Sequence, residues 1–394
     1  MYNKLWTKDF IMITLVNFLM YVIHYTLFVT ITNFTINQYH SSASIGGLAA
    51  GIFIIGMLIG RLIAGRFIDN FQPKTFLIIG IIFSIITISL YFTANSLYVL
   101  MIIRLLHGIG FGFSSTATGA ISSTIVPDVR KGEGIGYYAL STTTAAAVGP
   151  FIGISVSQNL GFQANFSVCL TIIIMALLMT IAITKIETIE ESELEKESVS
   201  EVGIAKFIQK EALPISTVII FIGIAYSSVL SFLTIYTYEI NLVTASSWFF
   251  IVYAITTFIS RPFTGKIYDS YGENKIMYIV LVSFAIGFIL LSITQSGILL
   301  LISAIFLALG YGTIIPSGQA IAIQQSPKKK IGLATSTFYM FTDLGAGIGP
   351  TIIGIIIPLV GYRYLYGLMV ILVVFATILY FLVHGRFAKK KGGY

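Results

Sequence analysis

Two ionisable residues, Arg104 and Asp343, lie deep inside long apolar stretches of the sequence. A charge at the centre of a membrane helix costs about 2.5 to 3.5 kcal/mol on insertion scales, so each should face a wet cavity or a partner. His107 follows Arg104 by one helical turn and belongs to the residue type that titrates near neutral pH. These three residues are candidates for proton coupling. For Asp343 the alternative is a hydrogen bond that only holds two helices together.

The composition predicts the elements that position these residues. Of 394 residues, 56% are hydrophobic and 10% charged, and the mean hydropathy is +0.93, far above that of a soluble domain. Apolar runs of about 20 residues, long enough to cross a hydrocarbon core about 30 Å thick, recur along the chain. We therefore predict an all-α polytopic membrane protein with twelve transmembrane helices. They span residues 10–32, 45–66, 75–94, 97–124, 135–157, 165–184, 213–238, 246–265, 276–294, 297–324, 332–357 and 363–384.

Basic residues are distributed unevenly among the loops that join these helices. If the N-terminus is cytoplasmic, almost every loop lysine and arginine falls on the cytoplasmic side, with Arg363 as the exception. This bias predicts a multi-pass protein of the cell membrane with both termini in the cytoplasm. Short basic loops are not the continuous basic face that nucleic acid binds. The single cysteine, Cys169, excludes a disulfide framework and a cysteine-rich metal site.

A charged segment divides the apolar pattern into two halves. We predict an N-terminal six-helix bundle over 1–184, a charged cytoplasmic linker over 185–212, and a C-terminal six-helix bundle with a short basic tail over 213–394. The linker is interpreted as a solvated tether, with a regulatory arm as the alternative. Residues 200 positions apart match, which predicts two pseudo-symmetric copies of one unit. The matches include Arg61 with Arg261, Gly110 with Gly310, Gly149 with Gly349, and Pro150 with Pro350.

The loop after the second predicted helix is repeated after the eighth. Each copy holds a glycine and an aspartate four residues apart, and both resemble the Gly-x-x-x-Asp-x-x-Gly signature of the major facilitator superfamily. This resemblance covers essentially the whole chain. It implies that Asp69 latches the cytoplasmic side closed in the outward-facing state; the alternative is a turn with a solvated charge. The gating residues implied are Gly65, Asp69, Lys74, Arg130, Gly265, Asp269, Lys275, Gly149 and Pro150.

Two predicted helices resemble further motifs of this superfamily. The segment from Arg104 to Gly108 resembles Arg-x-x-Gln-Gly of the fourth helix, with His107 in place of glutamine, and in relatives this arginine is linked to proton handling. Gly149 and Pro150 fit the antiporter signature of the fifth helix. Small residues at this spacing are expected to pack the fifth helix against a neighbour across the two halves. The pattern favours export.

The resemblance to the twelve-helix drug:proton antiporters implies a substrate site on the helices that usually form the cavity. Aromatic residues make up 14% of the chain and suit a lipophilic or planar guest. Some of these rings could instead face lipid, and His24 could serve packing alone. The predicted substrate-binding residues are His24, Tyr25, Phe111, Tyr226, Phe232, Tyr236, Tyr311 and Tyr339.

These features predict a proton-coupled secondary transporter that exports small lipophilic or cationic molecules by alternating access. The alternative is a proton-coupled carrier of one metabolite, such as a sugar, an amino acid derivative or a siderophore-like chelator; a receptor that transports nothing is a third interpretation. Walker, hydrolase and zinc-protease motifs are absent from the sequence, so we expect no enzymatic activity, cofactor or metal. The expected partners are a small-molecule substrate, protons and the lipid bilayer, with no nucleic acid, and the chain is expected to be monomeric.

Overall fold

The computed structural model describes residues 4–67, 72–127, 130–184, 208–327 and 330–388. Within these ranges the chain is almost entirely helical and contains no strand, which confirms the all-α prediction. Short 3-10 helices cover Tyr91–Thr93 and Lys210–Ala212, and a π-helical turn covers Phe381–Gly385. The long helices are α1 (Lys8–Tyr39), α2 (Ala43–Phe67), α3 (Pro73–Leu90), α4 (Leu97–Ile125), α5 (Lys131–Ile181), α6 (Leu213–Glu239), α7 (Val243–Tyr271), α8 (Glu273–Ser292), α9 (Gly297–Gln325) and α10 (Ile331–Tyr380).

The two longest helices each join stretches that the sequence predicts as separate helices. α5 has 51 residues and α10 has 50, and each backbone leaves the helical conformation at one glycine. The angle φ is 84° at Gly161 and 76° at Gly361. Glycine adopts positive φ without the steric cost of a Cβ, so a single-residue kink replaces the expected gap between helices. An unbroken helix of 50 residues would be about 75 Å long, more than twice the thickness of a hydrocarbon core.

The long helices are apolar enough to lie in a bilayer. Among the residues that the structure describes, ten helices have a length and composition that allow them to cross a membrane. Large apolar side chains such as Leu178, Phe258 and Ile371 are exposed along them. Because every backbone polar group must be satisfied inside lipid, a purely helical chain with apolar outer faces is typical of a multi-pass membrane protein.

The chain divides into two compact units, Met1–Ser41 with Leu48–Lys196, and Ser42–Gly47 with Glu197–Tyr394. In the first unit α1 packs along α5, and α3 packs along α4. In the second unit α6 packs along α10, and α8 packs along α9. The helices that pair in one unit are therefore the repeat counterparts of those that pair in the other.

The repeat of 200 residues extends to the local backbone. α4 begins after Ser96 and α9 after Ser296, and each serine hydroxyl accepts a hydrogen bond from the backbone N–H three residues later, at 3.4 and 3.3 Å. The kinks at Gly161 and Gly361 are also 200 residues apart. Each unit thus uses the same residue types to start and to bend corresponding helices.

Close packing of α2 against α4 depends on glycine. A Cβ added at Gly56 would lie 2.1 Å from the carbonyl oxygen of Leu105, and one added at Gly108 would lie 2.1 Å from the carbonyl oxygen of Phe53. A side chain at either position would force the two helices apart. This close approach brings the side chain of Arg104 within reach of the α2 backbone.

Candidate functional site

Arg104 is held by the backbone of α2. Its side chain is only 1% exposed, and its Nε donates a hydrogen bond to the carbonyl oxygen of Ala49 at 2.8 Å. One terminal nitrogen, Nη2, donates to the carbonyl oxygen of Ala50 at 3.2 Å. Both α2 residues have only a methyl side chain, so the guanidinium group can approach the helix backbone. Carbonyl dipoles here provide the stabilisation that a carboxylate provides in an ion pair.

Tyr91 joins Arg104 to His107. The hydroxyl of Tyr91 lies 3.5 Å from Nη1 of Arg104 and 3.2 Å from Nδ1 of His107. The guanidinium carbon also lies 4.6 Å from the centre of the Phe53 ring, within the range of a cation–π interaction. The two proton-coupling candidates of the first unit therefore share one buried network. Tyr91 was missed by the sequence reasoning because it follows α3, outside any recognisable motif.

His24 lies inside a group of aromatic rings that we call the His24 cage: Tyr21, His24, Tyr25, Phe28, Phe53 and Phe111. The ring centre of His24 is 4.9 Å from that of Phe53, 4.9 Å from that of Tyr25, and 5.2 Å from that of Phe111, with which it stacks. Tyr21 contacts Phe111 edge-on at 5.0 Å. Three of the predicted substrate-binding residues, His24, Tyr25 and Phe111, are thus brought together by α1 and α4.

A neutral polar cluster is centred on Asn17. Its amide nitrogen donates to the hydroxyls of Ser141 at 2.8 Å and Thr142 at 3.1 Å. Its amide oxygen accepts from the hydroxyls of Tyr138 at 2.9 Å and Thr118 at 3.2 Å. Asn17 is fully buried, so these bonds satisfy its amide inside the first unit and tie α1 to α4 and α5.

The predicted substrate residues of the second unit fall into two groups. Tyr226 stacks on Tyr311 with ring centres 3.8 Å apart and lies 5.7 Å from Tyr253. Phe232 and Tyr236 are instead fully buried, and the Tyr236 hydroxyl donates to the carbonyl oxygen of Leu291 at 3.0 Å. The first group is a cluster of stacked tyrosine rings, whereas Tyr236 ties α6 to the end of α8.

The remaining second-unit candidates lie on α10. Tyr339 is 37% exposed, and its hydroxyl donates to Oε1 of Gln319 at 3.0 Å. Asp343 is the thirteenth residue of α10, about 18 Å from the first at 1.5 Å per residue, and its side chain is half-buried. Gly345, two residues further along, approaches the carbonyl oxygen of Ile220 on α6, since an added Cβ would lie 2.5 Å from it. Asp343 therefore belongs to the part of α10 that packs on α6.

Two predicted gating lysines lie at helix ends. The ammonium group of Lys74 donates to the carbonyl oxygens of Ile181, at 3.2 Å, and Ile183, so it neutralises the negative end of α5. The ammonium group of Lys275 lies 3.5 Å from the centre of the Tyr271 ring. Both lysines lie in the first turn of a helix, Lys74 in α3 and Lys275 in α8, although the sequence predicts them just before those helices.

The second copy of the loop motif differs from the expectation. Gly65 lies in α2, and Asp69 lies outside the described residues. Gly265 and Asp269 lie within α7, which the sequence predicts to end at residue 265. α7 continues to Tyr271 because the first residue that leaves the helix is Gly272, with φ of 82°.

Other gating candidates lie on or just before α5. Arg130 immediately precedes this helix, and its backbone N–H donates to the carbonyl oxygen of Pro127 at 2.9 Å. The predicted linker from 185 lies outside the described residues as far as residue 207.

Gly149 packs against α1 of its own unit. A Cβ added there would lie 2.7 Å from the carbonyl oxygen of Val22, and the Thr26 hydroxyl donates to the carbonyl oxygen of Gly149 at 2.8 Å. Gly153 approaches the carbonyl oxygen of Thr26 in the same way, and Pro150 lies inside the helix. Gly149 and Gly153 of α5 therefore accommodate the close approach of α1.

The sequence matches the family described as the Major Facilitator Superfamily over residues 13–245 and again over residues 215–393. The chain belongs to this superfamily of membrane transporters.

Relatives with curated names are transporters at low identity. An uncharacterized MFS-type transporter of Methanocaldococcus jannaschii is 24% identical over 81% of this chain and 84% of its own length. Multidrug resistance protein MdtG of Salmonella schwarzengrund is 24% identical over 82% of this chain and 81% of its own. A multi-drug resistance efflux pump PmrA homolog of Lactococcus lactis is 25% identical over 80% and 79%.

Solved structures share the fold. A POT family transporter in complex with a thioalcohol-conjugated peptide matches with a TM-score of 0.79 at 13% identity, over 96% of both chains. An inward-facing bacterial homolog of the human lysosomal transporter Spinster matches with a TM-score of 0.76 at 15% identity, over 95% of this chain and 96% of its own. At these identities the likeness shows the fold alone.

Proposed function

We propose that this chain is a proton-coupled secondary transporter that exports small lipophilic molecules by alternating access. In this proposal the kinks at Gly161 and Gly361 divide α5 and α10 into two spans each, giving twelve spans in two six-helix bundles. The chain acts as a monomer in the cell membrane with both termini in the cytoplasm, as the distribution of basic loops favours. The relatives named as multidrug resistance and efflux proteins support export of this type.

The observation that carries the proposal is an uneven placement of charge in a repeated fold. Arg104 is buried in the first unit, whereas Asp343 is the deepest carboxylate of the second. The repeat positions of these two residues hold Ala304 and Thr143. A charge inside a membrane helix costs several kcal/mol, so a charge present in only one copy favours a role that the shared fold does not require.

Asp343 is proposed to bind the coupling proton. It takes up a proton when its surroundings open to the outer side and releases it when they open to the cytoplasm. Protonation removes a negative charge, which lowers the cost of returning that part of α10 to a dry environment. Substrate moves outward in exchange for the inward proton.

The network of the first unit is proposed to respond to charge. A proton that joins or leaves His107 changes the charge one hydrogen bond away from Tyr91, which also contacts Arg104. Tyr91 is a positioning residue here, because it contacts both basic groups. At the cytoplasmic side Asp69, Arg130 and the other gating residues are proposed to latch one state.

Transport by inside-out vesicles tests the role of Asp343. We expect the native chain to accumulate a chemically varied set of lipophilic molecules only when a proton gradient is imposed. Asp343→Asn should abolish this uphill accumulation, because an amide cannot exchange the proton, while leaving downhill exchange of the same molecules intact.

The matched control is Asp9→Asn. Asp9 lies in the first turn of α1 and its Oδ1 accepts a hydrogen bond from the backbone N–H of Thr184 at 2.9 Å, which an asparagine can still accept. This variant should transport as the native chain does. Gradient-driven accumulation that persists in Asp343→Asn would contradict the coupling role, and transport of one metabolite alone would favour a dedicated carrier.

A further inference from the structure

An apolar groove of about 520 Å³ lies on the outer surface of the second unit, between α8 and α9. Its α8 wall includes Tyr278, Ile279, Val282 and Ile286, and its α9 wall includes Phe306. The α8 residues recur one helical turn apart, so they form a single stripe about 12 Å long at 1.5 Å per residue. Ile279 is 49% exposed and Val282 is 55% exposed, so the groove opens outward along an apolar membrane helix.

The floor of this groove is formed by Ser283. Its side chain is short and buried, and its hydroxyl donates a hydrogen bond to the carbonyl oxygen of Phe306 at 3.0 Å. The only polar side chain of the floor is therefore satisfied within the unit, and an apolar occupant does not strip it of a partner. The repeat position of Ser283 holds Phe83, a ring in place of a small hydroxyl.

Two exposed basic residues lie at the end of the groove where α8 begins. Lys275 precedes the groove by one helical turn on the same stripe of α8. Arg386 follows Gly385, and a Cβ added at Gly385 would lie 2.7 Å from the hydroxyl of Tyr278. The backbone that carries Arg386 therefore approaches the first residue of the groove.

Hydrogen bonds fix this backbone to the start of α8. The amide nitrogen of Asn274 donates to the carbonyl oxygen of Gly385 at 2.8 Å. Glu273, the acidic residue in the first turn of α8, lies 2.8 Å from Nε2 of His384 through its Oε1. The carboxylate of this helix start is thus directed to His384, and the same contacts hold Arg386 at the end of the groove.

The first unit lacks these features at the corresponding positions. Lys275 corresponds to Thr75 and Arg386 to Ile186. Lys74, the basic residue nearest to this point in the first unit, donates to backbone carbonyl oxygens at the end of α5. The open floor and the two exposed cations are therefore additions of the second unit that the repeated helical frame does not require.

We propose that the groove between α8 and α9 binds an anionic phospholipid, with one acyl chain in the groove and the phosphate group at Lys275 and Arg386. A long apolar stripe that ends at two cations matches an apolar chain that ends in a negative headgroup. In the proposed orientation this end lies at the cytoplasmic side, where anionic lipids attract basic residues. The inference names a lipid partner and does not depend on the proposed transport.

Quenching of tryptophan fluorescence by brominated lipids tests the inference. The reporter is Ile279→Trp in the full-length chain, with Trp6 and Trp248 replaced by phenylalanine so that one tryptophan emits. Phosphatidylcholine nanodiscs receive a minor fraction of lipid with brominated chains, either phosphatidylglycerol or phosphatidylcholine. Each Lys or Arg near an anionic headgroup is worth about a factor of five, so we expect phosphatidylglycerol to bind at least about fivefold more tightly.

The repeat supplies a matched reporter outside the groove. Ile79 corresponds to Ile279 and is 51% exposed, against 49% for Ile279. Ile79→Trp in the same background should show a preference for phosphatidylglycerol of less than about twofold, because the counterparts of the two cations are uncharged and Phe83 replaces Ser283.

Single substitutions assign the preference to the two cations. With the Ile279→Trp reporter, Lys275→Gln and Arg386→Gln should each lower the preference by about threefold to fivefold. The control is Lys210→Gln, which removes an exposed lysine just before α6, on the same side of the membrane in the proposed orientation, and should change the preference less than about 1.5-fold. All three lysine and arginine side chains are exposed, so these variants should fold.

Filling the groove tests the place of the acyl chain. Ser283→Phe, which copies Phe83, should reduce quenching of the Ile279→Trp reporter by both brominated lipids, with a monodisperse fraction like that of the parent as the control for folding. Equal binding of the two lipids, or an equal preference at the two reporters, would overturn the proposal. An effect of Lys210→Gln as large as that of Lys275→Gln would replace the site by general surface charge. Loss of proton-driven transport would leave the lipid site untouched.

Discussion

The two units fill corresponding positions with opposite chemistry. In the first unit the buried guanidinium group of Arg104 contacts the backbone at Ala49 and Ala50. At the positions 200 residues later the chain holds Ala304, Phe249 and Phe250, all fully buried. A large polar residue with two small neighbours is thus replaced by a small residue with two large apolar neighbours.

This exchange teaches that the shared helical frame does not require the charge. Interiors pack to a nearly constant density, so each volume lost on one helix has to be recovered on another. The other residues of the network follow the same pattern, since Tyr91 and His107 correspond to Leu291 and Leu307. The second unit uses hydrophobic packing where the first uses a hydrogen-bonded network.

The aromatic clusters differ in a similar way. In the His24 cage the rings surround an imidazole, whereas Tyr226 stacks on Tyr311 with no ionisable group between them. The repeat positions of His24 and Tyr25 are Ile224 and Ala225. The first cluster therefore encloses a polar imidazole, whereas the second brings tyrosine rings directly against one another.

Exchanging one residue between the units should have the largest effect. Ala304→Arg places a charge and a long side chain at a fully buried position, and the residues that correspond to Ala49 and Ala50 are phenylalanines in this unit. We expect the free energy of unfolding to fall by more than about 4 kcal/mol and little folded protein to be recovered. Arg104→Ala leaves a cavity but no unpaired charge and should cost about 2 to 4 kcal/mol. The recovered monodisperse fraction and the thermal unfolding in detergent measure both.

The comparison would be wrong if the two variants behaved alike. Equal yield and thermal stability of Ala304→Arg and Arg104→Ala would mean that arginine is tolerated in either unit. The small side chains of Ala49 and Ala50 would then not be needed for burying the guanidinium group of Arg104.

Removal of one hydroxyl from the Asn17 cluster should have a smaller effect. Tyr138→Phe, which copies Phe338 of the second unit, removes the donor to Asn17 and to Thr118, each at 2.9 Å. We expect the free energy of unfolding to fall by about 1 to 2 kcal/mol. The loss is not larger because Thr118 still donates to the amide oxygen of Asn17.

The neighbouring tyrosine provides the control for this substitution. Tyr137 is 39% exposed and packs on Trp6, so Tyr137→Phe should change the stability by less than about 0.5 kcal/mol. If thermal unfolding showed an equal loss of stability in both variants, the Tyr138 hydroxyl of the Asn17 cluster would contribute no more to the stability than a surface hydroxyl.

The sequence predicts these units better than it predicts their contacts. Apolar runs reveal the helices, and the spacing of 200 residues reveals the repeat, because both are properties of the chain alone. In lipid the outer face of a helix is as apolar as its packed face, so hydrophobic periodicity does not show how each helix is rotated. The contact of Arg104 with the α2 backbone, the role of Tyr91 and the packing of Gly149 on α1 all depend on that rotation.

Some boundaries were also out of reach of the sequence. The kink at Gly161 is a single residue, whereas turn-rich residues around it predict a gap of several. Whether glycine ends a helix or bends it depends on its φ angle, which composition does not determine.

An effect of similar size is expected at a feature that the two units share. Gly161→Ala and Gly361→Ala each place a Cβ at positive φ, where a residue other than glycine lowers the free energy of unfolding by about 1 to 2 kcal/mol. No heavy atom lies within 4 Å of an added Cβ at either site, so the cost should come from the backbone alone and be nearly equal in both. Gly367→Ala is the control, because that glycine is helical with equally open surroundings, and alanine there should be neutral or stabilising by up to about 1 kcal/mol. Thermal unfolding of the three variants separates these cases. A clear difference in stability between Gly161→Ala and Gly361→Ala would show that the two kinks differ in backbone strain. The kinks would then have diverged between the units, as the charges of the interiors have, whereas the serine caps at Ser96 and Ser296 have not.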